Sequence, residues 1–500
     1  MATQWRTTAL GLCISAAVQL SAAHEHHGEG IPEGHAITQD PIDSILWTHI
    51  ILQTFAWGIL FPTGMVLGLV RSRFHVPVQV VASLLAIVGY FLGHWHKGRQ
   101  FSPGAHSAFA NWLMLLLIGQ VSLGAYLRLH LERSFFGKSR VFFVKIHKVL
   151  GIIIPIAAWV QMLFGGIALE GFCRADHLGQ CLAHFIMGSA FIAYGIILLI
   201  LLLVGQAWLQ RRRRSQEFFD STVIAAWGCV NTFTEHRWGH EWAHNDIQHT
   251  SMGIVWWAAG LAGIWLSRDS QGRPKRNLIP GIVIFVTGWA MSSHPQHLML
   301  STMIHTVFGY TLMAAGLARI IEISFVMRDR SSISELHRET GPSPDDNSQA
   351  PEYESHSWQY LTPFLLLAGG FMFMGATEEQ MLMLSDAGMD HVSYTLILYS
   401  VAFLLFLFTL ALIRLFSTQS TNKQRSKHDH DSESAPMLNG HAMNGRAVNG
   451  HVNPEERRRL RQAEEFELDG LISDEEDARE LGDVDSEDRD SGHGRMKERS

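Results

Sequence analysis

The sequence predicts an all-α, polytopic membrane protein with about eleven transmembrane helices in two bundles and a disordered cytosolic tail. Three observations predict it. Only 17% of the 500 residues are Asp, Glu, Lys or Arg, against about 25% in an ordinary soluble chain. That charge is unevenly placed, because long windows carry almost none and the stretch from Ser417 onward is dense in it. Apolar runs close to the roughly 20 residues that a helix needs to cross a bilayer recur along the chain. The net charge of −7 comes largely from the tail, so it gives no reason to expect a nucleic-acid partner. Four cysteines are too few for a disulfide scaffold.

Residues 1–23 read as a secretory signal peptide. Arg6 supplies a weakly charged start, residues 7–20 a short apolar run, and Ser21-Ala22-Ala23 a small-residue cleavage site. Residues 24–44 then form a His-rich arm outside the cytosol. Apolar segments follow at 45–70, 74–93, 108–127, 144–168 and 182–209, which make a first bundle over 45–210. Six more, at 219–233, 250–266, 278–291, 298–325, 358–376 and 392–416, make a second over 219–416. The sixth and eighth of the eleven are short. The polar loop 327–356 and the tail 417–500 have too little apolar surface to offset the entropy of ordering, so both are expected to be disordered.

Basic residues set the orientation. With an external or lumenal N-terminus, the cytosolic loops hold Arg71 and Arg73, then Arg128 to Lys148, then Arg211 to Arg214, then Arg268 to Arg276. The opposite loops hold only Lys97, Arg99, Arg174 and Arg237. The C-terminus is therefore cytosolic, and the protein belongs to the secretory pathway, at the plasma membrane or an endomembrane. Cys173 and Cys181 share one lumenal loop, where the oxidising compartment favours a disulfide between them.

Four histidines alternate along the first four helices. His49 and His106 lie at the lumenal ends of helices one and three, and His75 and His147 at the cytosolic ends of helices two and four. Facing helices of a bundle build cofactor sites from inward side chains. Two bis-imidazole sites follow, His49 with His106 and His75 with His147, on the order of 20–25 Å apart at 1.5 Å per residue. Two imidazoles on facing helices suit a six-coordinate haem that carries electrons and has no open position. The competing interpretation is four interfacial histidines facing headgroups.

These segments resemble the cytochrome b561 family. His49 with Trp57, Gly58, Pro62, Gly64 and Arg71 is similar to its first core helix, and His75 with Gln79, Gly89 and Gly93 to its second. His106 with Gln120 and Gly124 is similar to the third, and His147 with Gly151 and Gly165 to the fourth. Gln53 departs from the family, whose members often have an apolar residue there. The resemblance implies two b-type haems held by the four histidines. It also implies electron flow from a cytosolic reductant, of which ascorbate is one example, to a lumenal acceptor. The basic loop around Arg133 to Lys148 suits an anionic donor but carries no ascorbate signature, so the donor stays open.

The second half has its own histidines. His236, His240 and His244 recur every four residues, and His249, His294, His297, Glu378 and His391 fall on the same lumenal side by the topology above. His240-x-x-x-His244 is a spacing that suits zinc, copper or iron. A lumenal metal ion is therefore a candidate partner, alongside the lipid bilayer. The plain alternative is a hydrogen-bonded polar cap. Arg319 and Glu322, three apart, are placed for an ion pair. This half resembles the fungal Ytp family of membrane proteins. The resemblance rests on Glu235-His236, Trp242, Asp246-Ile-Gln-His249 with Gly253, Arg276-Asn277, Thr287-Gly-Trp-Ala-Met-Ser, His294 with Gln296, and His305 with Gly309. It implies the two-bundle architecture more than a function. The functional expectation is a transmembrane electron-transfer oxidoreductase, with a haem-dependent metal reductase as its enzymatic form. A metal or proton transporter using His305, and a scaffold with a degenerate core, are the alternatives.

Overall fold

A computed structural model of the chain describes residues 34–129, 140–236, 241–294, 296–326 and 355–433, with Ile31 and Gly239. The expected signal peptide, the start of the His-rich arm, His240 and most of the polar loop lie outside the described residues. So do the side chain of His244 and the tail beyond Glu433.

All eleven apolar segments are helical. We number the helices α1 (Ser44–Leu69), α2 (His75–Trp95), α3 (Ala105–Arg128), α4 (Arg140–Glu170) and α5 (Leu178–Leu203), then a short α6 (Gln206–Arg212). There follow α7 (Gln216–Thr234), α8 (His244–Leu266), α9 (Ile279–Ser292), α10 (Met299–Ile321), α11 (Leu361–Met374), α12 (Glu378–Asp386) and α13 (His391–Glu433). Among the described residues seven helices are long and apolar enough to cross a membrane, and the α11–α12 pair, bent by 77°, makes an eighth if it counts as one span. The expectation of eleven full spans is corrected on this point. Among the described residues α9 has only 14 residues, about 21 Å of axis. Glu217, Asp220 and Asn231 dilute α7, and His244 to His249 dilute the start of α8. At the other end, α13 continues past Ser417 to Glu433, so the polar tail begins as helix.

In the first bundle, α1 pairs with α2 and α3 with α4. Its middle is filled by Ala56, Trp57, Phe61, Ala82, Ala86, Leu113, Leu117, Ile154 and Ala158. The alanines let α1 and α2 come close, and Trp57 and Phe61 fill the remaining space with ring centroids 4.3 Å apart. In α1 the stretch Ala56–Leu60 forms one wide π turn, closed by Phe61 N–H donating to Ala56 O. Pro62, which has no N–H to donate, follows directly.

The second bundle pairs α7 with α8 and α9 with α10, and α5, which the sequence groups with the first four helices, packs instead on α11. Its core is Ile304, Phe308, Leu312, Leu366 and Met372 with their neighbours. Small residues set the helix distances, as they do where lipid supplies no hydrophobic drive between helices. Gly288 faces Gly309 and Gly281 faces Gly316, and a Cβ at Gly288 or Gly316 would stand 2.5 Å from the opposite carbonyl. Arg319 pairs with Glu322 at 2.8 Å, as the spacing suggests, and also with Glu217 of α7 at 2.8 Å. Asp220 lies one turn on from Glu217 and accepts from Tyr194 Oη of α5.

Candidate functional site: reciprocal imidazole cradles

Each helix of the first bundle carries a histidine at one end and, at the other, a glycine that receives its partner's histidine. A Cβ at Gly93 would stand 2.6 Å from the His49 ring, and one at Gly68 would stand 2.8 Å from that of His75. In the second hairpin, Gly165 faces His106 at 3.2 Å and Gly124 faces His147 at 3.3 Å on the same construction. The spacing is repeated: Gly93 follows His75, Gly124 follows His106 and Gly165 follows His147 by 18 residues each. In α1 the interval from His49 to Gly68 is 19. The additional residue is absorbed by the wide turn at Ala56–Leu60, which keeps the histidine and glycine on the faces that meet α2.

The hydrogen bonds repeat as well. His49 Nδ1 donates to Gly89 O at 2.7 Å, and His75 Nδ1 donates to Gly64 O at 2.7 Å. Both bonds fix the tautomer that leaves the lone pair on Nε2. Gln53 and Gln79, each one turn after its histidine, lie against Gly89 and Gly64. Gln53 also accepts from Trp57 Nε1 at 2.9 Å and donates to Ala86 O at 3.2 Å, which accounts for a polar residue at a position where an apolar one was expected. In the second hairpin Gln161 Nε2 lies 2.9 Å from His106 Nδ1 and donates to His106 O at 3.0 Å. Gln120 Nε2 donates to His147 O at 3.0 Å. His147 Nδ1 and the Oε1 atoms of Gln120 and Gln161 are buried without a partner.

The expected histidine pairs are brought together. His49 and His106 face each other across the two hairpins with ring centroids 6.3 Å apart and planes at 87°. His75 and His147 share the opposite end of the bundle, seated on Gly68 and Gly124. His49 and His106 open into a cavity of about 810 Å³ lined also by Gln53, Trp57, Tyr90 and Met114. That size is in the range of cofactor pockets. The arm runs antiparallel to the loop after α2, which lines the cavity, through Thr38 N–H donating to Gln100 O and Ser102 N–H to Ala36 O. Asp43 ties the two together, capping α1 through Leu46 N–H and accepting from Lys97 N–H.

The histidines of the second half are partly gathered. His236 Nδ1 meets Asp246 at 3.1 Å, and its ring stacks on Trp242 at 3.8 Å. His249 meets Glu235 at 3.3 Å, and its ring lies 5.1 Å from that of His294. Glu378 faces His177 at 3.8 Å, near the Cys173–Cys181 disulfide, which is formed with its Cα atoms 5.3 Å apart. His297 lies in the turn before α10, and His391 opens α13. Among the described residues, only Cys173, Cys181 and Glu379 bring three metal-ligating atoms within 4.8 Å of one another, and both sulfurs there are spent on the disulfide.

Sequence reasoning left Gln161, the reciprocal role of the glycines and His184 without a function. For the first two the available signal was the pair of intervals, 14 and 18 residues, that follows the histidines of α2, α3 and α4. For His184 it was a lone imidazole in an apolar span.

Two family models match separate stretches of the chain. Residues 157–417 match the family described as "Protein YTP1-like, C-terminal", and residues 29–130 match a domain of unknown function, DUF2427. Protein YTP1 of Saccharomyces cerevisiae is 41% identical over 311 residues, 61% of this chain and 62% of that protein. The chain therefore spans less than two thirds of that relative. The uncharacterized membrane protein C3B8.06 of Schizosaccharomyces pombe is 24% identical over 68% of this chain and 87% of its own length. The uncharacterized membrane protein YCR061W of S. cerevisiae is 27% identical over 42% of this chain and 39% of its own length. No solved structure matches. With the family match covering more than half of its residues, this membrane protein belongs to the Ytp1-like family.

Proposed function

We propose that the first bundle is a transmembrane electron-transfer unit built to hold two bis-imidazole haems. The observation that carries this reading is the reciprocity of the cradles, four imidazoles each seated on a partner helix's glycine, with His49 and His106 facing each other at 6.3 Å in a large cavity.

The residues fit the group. Two imidazoles, each about 2 Å from a shared metal, place their ring centres on the order of 6 Å apart. The Nδ1 bonds to Gly89 O and Gly64 O supply the backbone carbonyl partner typical of a ligating histidine. At His106 it is Gln161 Nε2 that stands 2.9 Å from Nδ1, so a ring ligating through Nε2 with its proton on Nδ1 would require that amide to be turned to present its unpartnered Oε1. Haem, when bound, supplies reversible one-electron transfer at iron.

The chain's own residues orient the two sites. His75 and Gly93 mark the two ends of α2, 18 residues or about 27 Å of axis apart, and each belongs to a different cradle. Trp57 lines the cavity and stacks on Phe61 toward the other end of the bundle. In this reading a cytosolic reductant, ascorbate among the candidates, serves the His75/His147 end. The acceptor, a metal ion among the candidates, is served by the His49/His106 end.

The test is the reduced-minus-oxidised absorbance of the full chain purified in detergent, with haem quantified per chain. The reading expects two b-type haems, one lost in His49→Ala and the other in His75→Ala. A chain expressed with adequate haem supply that shows no α or Soret band would overturn it.

A further inference from the structure

Outside the first bundle, a second set of imidazoles is strung through the interior, and one of its members, His184, has no counterpart in any sequence motif. His184 of α5 and His305 of α10 have ring centroids 5.9 Å apart with planes at 80°. His305 is 6.3 Å from His294, and His294 is 5.1 Å from His249. His184 and His305 are 8% and 3% exposed. His249 and its partner Glu235 lie at the more open end of the file.

Every ring in the file commits Nδ1 to an oxygen. His184 donates to Gln180 O at 2.8 Å and His305 to Ser301 O at 2.9 Å. His294 donates to Gln248 Oε1 at 2.9 Å, and His249 faces the Glu235 carboxylate at 3.3 Å. Four oxygens from four different residues thus select the same tautomer, with the lone pair on Nε2. This is the arrangement that orients histidines around a metal. It is an unusual use of buried polar groups otherwise, because His184 Nε2 is buried with no hydrogen-bond partner. A buried acceptor left unpaired is destabilising, and a ligand would remove that cost.

The geometry separates the possible ligands. The His184–His305 pair nearly repeats the separation and angle of the His49–His106 pair. No room for a porphyrin accompanies it: His184 stacks on Phe373 at 4.5 Å, and Phe373 packs on Phe308 at 4.9 Å. Neither histidine lines the large cavity. The 5.9 Å ring separation is the order expected for two imidazoles that share one ion. The ligand atoms are neutral imidazole nitrogens, which favour late first-row transition metals.

We propose that His184 and His305 form a buried two-imidazole site for one transition-metal ion of the zinc or copper class, with His294 as the next ring of the file, 6.3 Å from His305. His249 and Glu235 form its approach from the more exposed end. The site stands on these contacts alone and does not depend on haem in the first bundle. Helix α5 links the two, since Leu178 and Leu182 line the large cavity and His184 lies half a turn further on.

The experiment uses the full chain in detergent, stripped with chelator and reloaded with Zn²⁺. Bound zinc is measured in wild type, in His184→Ala/His305→Ala and in His35→Ala, whose histidine lies on the exposed arm. The double variant is expected to bind one equivalent less than wild type, and His35→Ala to match wild type at this site. Equal zinc in wild type and the double variant overturns the proposal. In case the double variant does not fold, X-ray absorption at the zinc edge of wild type loaded with one equivalent decides. Two or three imidazole nitrogens without sulfur support the site, and a shell with sulfur or without imidazole overturns it.

Discussion

His49 lies so close to Gly93 that even a methyl group on that glycine would stand 2.6 Å from the imidazole. A looser version of the same seat holds His106 on Gly165. Gly93→Ala is therefore expected to push the His49 ring off its bond to Gly89 O and to lower haem at the His49/His106 site, from two haems per chain toward one. Gly119→Ala, which adds a Cβ with nothing within 4 Å, is the matched control and should leave haem content unchanged. Pyridine haemochrome assay of the two variants checks the difference.

Arg319 is the hub of the buried charges of the second bundle, paired with both Glu217 and Glu322. Removing it leaves Glu322 without its cation and Glu217 with only the half-exposed Arg276, 3.3 Å away. Breaking a buried pair by deleting one partner costs roughly 3–5 kcal/mol. Arg319→Ala should fall sharply in thermal stability in detergent, and adding Glu217→Gln should recover part of the loss.

The facing glycines of α9 and α10 predict a packing defect. Gly288→Leu places a side chain where a Cβ already meets the Gly309 carbonyl at 2.5 Å. Overpacking of this kind costs about 1–3 kcal/mol or more. The variant should melt earlier than wild type, whereas Gly119→Leu on the open face of α3 should not, because nothing lies within 4 Å there.

Asp43 predicts a pH effect at the arm. Burial pushes its carboxyl up, but N–H donation from Lys97, Leu46 and Gly98 outweighs this and holds it below its ordinary value of 3.8. A lowered folded value contributes stability that is full above the ordinary value and is lost as pH falls through the folded one. Protease access to the arm should therefore rise only in strong acid. Asp43→Ala should open it at neutral pH, at a cost of about 0.5–2 kcal/mol from the lost cap.

The Cys173–Cys181 bond gives a chemical readout. Non-reducing peptide mapping should recover residues 173 and 181 in one cross-linked fragment, with Cys229 alkylated once the protein is unfolded. Two separately alkylated cysteines at 173 and 181 in the native protein would contradict it.

Much of this was legible in the sequence because membrane helices are read from length and charge alone. The eleven helical segments and the pairing of His49 with His106 followed from apolar runs and from the end of each helix on which a histidine falls. The Arg319–Glu322 pair followed from spacing. Glu217 was not foreseen as the second partner, because it joins from a helix 102 positions away and no local pattern encodes that contact. Gln161 was missed for the same reason, being 55 positions from His106. The short α9 and the polar α7 were overcounted as spans because an apolar run marks a helix without fixing whether lipid or protein surrounds it. His184 escaped notice because one imidazole in a hydrophobic run looks like an isolated substitution until the fold sets His305 beside it.

The wide turn at Ala56–Leu60 has a consequence for how α1 tolerates change in length. Upstream of it His49 is in step with α2, and downstream Gly64 and Gly68 are in step with His75 only because one surplus residue is taken up in between. Excising that residue would let the turn close into ordinary helix with the 18-residue interval of the other three helices, leaving both glycines in step with His75, whereas one more inserted residue would swing the downstream half through about 100° and push it about 1.5 Å further along. The turn thus acts as a phase correction, so a single-codon deletion there should be tolerated, while a further single-codon insertion in α1 would displace a distant seat with all four histidines still in the sequence.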